Sequence, residues 1–73
     1  MIERKRYLEL CQKNAVYRDA VKVYYNGSAF YPISLEIWFD GFGATHNSAI
    51  MKNENSNCTT KCRIEDISEV KDG

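Results

Sequence analysis

The sequence predicts an α+β domain in which one N-terminal helix precedes an antiparallel meander of four or five strands. Three observations lead there. The first segment has helical apolar spacing and contains neither Gly nor Pro. The period changes to two after Ala20, and Asn26-Gly27 separates two alternating runs.

The helix spans residues 2–14. It is rich in helix formers and sets Tyr7, Leu8, Leu10, Cys11 and Ala15 along one stripe. At this length it is marginal alone and must dock on something. The meander covers residues 20–70. In "AVKVYY", Val21, Val23 and Tyr25 alternate with Lys22 and Tyr24, a half-buried strand. Asn26-Gly27 then makes a tight hairpin, because both residues tolerate positive φ.

The next strand, "AFYPISLEIWFD", is long. Uninterrupted alternation places Tyr31, Ile33, Leu35, Ile37 and Phe39 on one face and Phe30, Pro32, Ser34, Glu36 and Trp38 on the other. Pro32 cannot donate to a ladder, so it belongs at a bulge, strand end or edge, and the strand bends there. "DGFGA" gives a second turn and "THNSAIMK" a weaker strand. "NENSN" is a loop and "CTTKCRI" a fourth strand. "EDISEV" reads as a tight turn and a short closing strand that returns Ile67 and Val70 to the core. This order suits a curved antiparallel sheet or an SH3-like small barrel, capped by the helix. The 73 residues form a single domain, close to the size at which a core without staples suffices.

Ten basic and ten acidic residues cancel, so the whole chain exerts no net pull on nucleic acid or anionic lipid. Their distribution is uneven. Residues 1–31 hold six Lys or Arg against three acids, and residues 32–73 hold four against seven. No apolar run approaches a membrane span, and the basic cluster at the start has no apolar stretch behind it. The expected location is therefore the cytoplasm, without membrane attachment.

Catalytic chemistry finds little footing. Cys11, Cys58 and Cys62 are an odd number and read as free thiols in a reducing compartment. Along a strand Cys58 and Cys62 lie roughly 13 Å apart, at about 3.3 Å per residue. Two thiolates at about 2.3 Å from one zinc cannot span that distance. His46 is the sole histidine, and nothing in the sequence orients it as a base for a cysteine nucleophile. Glu65 and Asp66 are neighbours on a turn, not a facing acid–base couple. The expectation is a protein that is not an enzyme and carries neither metal nor cofactor.

Six of the nine aromatic residues fall within residues 22–39. The alternation assigns Tyr25, Tyr31 and Phe39 to the core. It leaves Tyr24, Phe30 and Trp38 on the opposite face, beside Lys22, Pro32 and Glu36. Either the helix lies over this second face or it forms a partner-binding patch of Tyr24, Phe30, Trp38, Lys22 and Glu36. The alternative function is a small barrel that stacks single-stranded nucleic acid on the same aromatics beside Lys22, Lys61 and Arg63. Zero net charge and Glu36 in the patch weigh against it.

"YLELCQK", "VKVYYNGSAFYP", "THNSAIM" and "CRIEDISEV" together resemble small proteins of bacteriophages and mobile elements of Gram-positive bacteria. The resemblance implies an accessory protein in the cytoplasm of a bacterial host, acting by binding a host protein and inhibiting it. Inhibitors of defence nucleases, anti-CRISPR proteins among them, are similar in size and in lacking enzymatic machinery. Asp40, Glu65, Asp66, Glu69 and Asp72 offer an acidic surface that would imitate nucleic acid to a basic groove. The chain is expected to be a monomer, or a homodimer paired through an exposed edge at Thr45 to Lys52.

Overall fold

The computed structural model describes residues 2–71. Helix α1 (Arg4–Val16) is followed by β1 (Val23–Tyr25), β2 (Ser28–Phe39), β3 (Thr45–Asn53) and β4 (Thr59–Arg63), then a 3-10 turn at Ile64–Asp66. The strands form one antiparallel sheet in the order β1-β2-β3-β4. The α+β class with one helix and a curled antiparallel sheet is therefore as the sequence predicts. No helix among the described residues is long and apolar enough to cross a membrane.

The β1–β2 hairpin turns through Asn26 (φ 51°) and Gly27 (φ 78°), the positive-φ pair that this turn requires. The closing strand shrinks to one bridge. Tyr24 N–H donates to the Ser68 carbonyl at 2.8 Å and Ser68 N–H to the Tyr24 carbonyl at 3.0 Å. This single bridge brings the chain's end back to β1. Ile67 is buried as expected, but Val70 is 70% exposed because pairing stops at Ser68.

The core joins Ile2, Tyr7, Leu10 and Cys11 from the helical end to Val23, Phe30, Ala49, Met51, Ile64 and Ile67. The helical stripe is narrower than expected, since Leu8 and Ala15 face solvent. Asn14 extends the stripe with polar contacts instead. Its amide donates to the carbonyls of Val21 and Pro32 at 3.1 and 3.2 Å, and its oxygen accepts the Val21 N–H at 2.9 Å.

The largest departure from simple alternation is in β2. A bulge shifts the β2–β3 register between Pro32 and Ser34. Phe30 and Pro32 face inward before it, and Leu35, on the opposite parity, packs against the core after it. One inserted residue exchanges the two faces of a strand. Phe30 therefore belongs to the core and not to an exposed patch, and Tyr31 takes the outward position. Ile33 sits at the bulge and Ile37 and Phe39 lie beyond the main core, so all three expected core residues are substantially exposed.

β3 is likewise not an edge. It lies between β2 and β4, so Thr45 to Lys52 is not a free pairing strand along its length. β4 is the terminal strand on one side of the sheet; on the other side β2 has a free edge beyond Phe30, since β1 covers only Ser28 to Phe30.

Candidate functional site

The outer face of the sheet, away from the core cluster, carries the residues that a partner would meet. Register fixes its membership: Tyr31 lies opposite Lys52, Glu36 opposite Ser48, and Trp38 opposite His46, while Ile50 faces Lys61 and Ser48 faces Arg63. Of the expected patch, Tyr24, Lys22, Glu36 and Trp38 lie on this face. Phe30 does not.

The aromatics form two groups, separated by roughly 20 Å of strand at about 3.3 Å per residue. At the β1 end, Lys22 and Lys52 lie over the Tyr31 ring at 5.8 and 5.3 Å from its centroid. Lys22 also pairs with Glu54, and Lys52 with Asp19 at 3.2 Å. Midway, Lys61 holds Glu36 at 3.0 Å.

At the far end, Trp38 stacks on His46 with centroids 4.3 Å apart and donates its indole N–H to the Ser48 hydroxyl at 2.9 Å. His46 Nε2 lies 2.8 Å from the Asp40 carboxylate. The other carboxylate oxygen of Asp40 accepts the backbone N–H groups of Phe42 and Ala44, at 2.8 and 3.0 Å. A chain of contacts thus runs from the β2–β3 turn through Asp40 and His46 to the indole. Trp38 keeps 36% of its surface exposed. Alternation across the hairpin can suggest the Trp38–His46 pairing, but the sequence alone leaves the register of β3 unsettled.

Hydrogen bonding to His46, and then the two backbone N–H groups, hold the Asp40 carboxyl below its ordinary pKa. A lowered folded pKa means that this stabilisation is complete above the unfolded value of about 3.9 and is lost as pH falls through the folded value. Acidification is expected to loosen the turn before the domain unfolds. Emission of Trp38, the sole tryptophan, should change ahead of the far-ultraviolet circular dichroism. Asp40→Asn should remove that early step; an unchanged two-step profile would contradict the assignment.

The thiols lie apart from this chain of contacts. His46 is on the outer face, whereas Cys62 pairs opposite Ala49 on the inner one. Burial raises the Cys11 thiol, and burial together with Asp66 pushes Cys62 up to about 11. Cys58 is exposed just before β4, at the end where Thr59 pairs with Lys52, far from His46. Among the described residues no group of three or more His, Cys, Asp or Glu could hold a metal ion.

The expected acidic residues are spread over separate elements. Asp40 organises the β2–β3 turn, and Glu69 is paired with Arg6 at 2.9 Å. Glu65 and Asp66 lie in the 3-10 turn. Asp72 lies outside the described residues.

Compared with known protein families, curated proteins and solved structures, the chain matches none.

Proposed function

We propose that this chain is a non-enzymatic protein-binding module that docks through its outer face with Trp38 as anchor. In this reading it is a phage-borne accessory protein that binds and inhibits a host protein, such as a defence nuclease, in the bacterial cytoplasm. The supporting observation is a half-open indole, away from the core and held in one orientation by Ser48 and His46. A rigid, partly exposed Trp offers large contact area at low entropic cost.

One observation favours single-stranded nucleic acid instead, namely the two lysines over Tyr31. Against it, Lys22, Lys52 and Lys61 are each engaged by a carboxylate, which reduces the charge available to phosphates. The test immobilises the protein and its Trp38→Ala variant, and compares what each retains from host lysate. A partner retained by wild type and reduced at least tenfold by the variant is expected. Equal retention of every partner would remove Trp38 as the anchor. Saturable, salt-dependent binding of oligothymidylate would support the nucleic-acid reading.

A further inference from the structure

We propose that two copies of this chain associate through the free edge of β2, pairing Leu35–Phe39 antiparallel with the same run of a second copy. The direction of the backbone groups is fixed by bonds at both ends of the β2–β3 ladder. Asp40 N–H donates to the Ala44 carbonyl, and Glu54 N–H to the Ala29 carbonyl. Antiparallel pairs alternate between bonded and non-bonded positions. Beyond the bulge, Ser34, Glu36 and Trp38 therefore point their backbone groups at β3, and Leu35, Ile37 and Phe39 point theirs away. Among the described residues no hydrogen bond reaches those outward groups. The edge ends sharply on one side: Pro32 has no N–H to offer and its carbonyl is taken by Asn14.

Such an edge, flanked by exposed Ile37 and Phe39 and carrying no charge on that face, is a template for pairing. Its chemistry selects a second copy in one register. With Ile37 opposite Ile37, Leu35 meets Phe39 of the second copy and every outward N–H and C=O of the run finds a partner. On the other face Glu36 then lies opposite Trp38. Sliding the pairing one step either way loses hydrogen bonds and sets Glu36 against Glu36 or against Asp40, like charges directly opposed. The favoured register also carries the second copy's Asp40–Gly43 turn, with its 99% exposed Phe42, towards the cleft formed by Cys11, Ala15, Pro32 and Ile33. Both Trp38 side chains end on one face of the continuous sheet, so this pairing does not compete with the proposed docking face.

Sedimentation of the full chain at rising concentration should move from 8.4 kDa to twice that mass. Ile37→Lys, which places two ammonium groups on the symmetry axis, should hold it at the monomer mass with an unchanged circular dichroism spectrum. The register is tested separately by Ile37→Cys in a Cys58→Ser background. Opposed residues of a bonded pair lie about 5.5 Å apart, within disulfide range, so mild oxidation should yield a covalent dimer. The matched Thr45→Cys variant should not. A wild type that stays monomeric throughout, or a dimer that survives Ile37→Lys, would overturn the proposal. Should Ile37→Lys fail to fold, absence of the Ile37→Cys cross-link would overturn it.

Discussion

Tyr7→Ala is expected to abolish the cooperative unfolding transition. Tyr7 is wholly buried at the centre of the helix–sheet interface. Its hydroxyl donates to the Ile50 carbonyl at 2.8 Å. That carbonyl lies opposite the bulge, where an extra residue leaves the ladder unable to satisfy every group. Tyr7 therefore fills the core and completes the hydrogen bonding of the irregularity that sets the faces of β2. Truncating a buried aromatic costs about 3–5 kcal/mol. The Ile50 carbonyl would lose its phenolic partner as well. A domain of this length has about 4–11 kcal/mol in total, at roughly 0.05–0.15 kcal/mol per residue. Tyr7→Phe separates the two roles. It keeps the ring and should cost about 1–2 kcal/mol, a fall in Tm of roughly 5–15 °C for a domain of this size. A Tyr7→Phe chain as stable as wild type would show that the hydroxyl does not support the bulge.

The bulge also marks where the sequence stops being legible. Asn26-Gly27, the helix and the order of strands were readable because each depends on local chemistry: positive φ, apolar spacing and alternation. Pro32 announced an irregularity, and the structure places it both at the bulge and on an edge. What its presence could not convey was the direction of the consequence. A single inserted residue inverts every assignment on one side of it relative to the other. Thus Phe30 moved into the core and Tyr31 out of it, while Tyr24, Trp38, Lys22 and Glu36 kept to the outer face. The over-long apolar face of β2 was misread for a related reason. Ile37 and Phe39 have core composition and inward parity, yet α1 and the short β4 leave that end of the hairpin without a covering layer. Composition reveals apolarity, but coverage depends on the lengths of elements elsewhere in the chain. The Asp40–His46–Trp38 series was hidden in the same way, since its members meet only through the β2–β3 register.

Asn14 is the second residue whose loss should be felt throughout the domain. It lies in the last turn of α1, where a side chain that bonds to backbone usually competes with the helix. Here its amide bonds to both backbone groups of Val21 and to the outward carbonyl of Pro32. The connection from α1 to β1 reverses through Asp19 at φ 54°, and Asn14 fixes where it rejoins the sheet. Asn14→Ala should cost about 2–3 kcal/mol, a sum of hydrogen bonds each worth roughly 0.5–1.5 kcal/mol in this partly buried setting. Asn14→Asp should cost at least as much at neutral pH. The carboxylate still accepts the Val21 N–H, but it presents oxygens to two carbonyls where the amide presented donors. Chemical denaturation of both variants checks the order. If Asn14→Asp proved the more stable of the two, the amide would not be donating to Val21 and Pro32. Freeing the Pro32 carbonyl also lengthens the open edge of β2. Both variants should therefore associate or aggregate at lower concentration than wild type, readable by light scattering under native conditions.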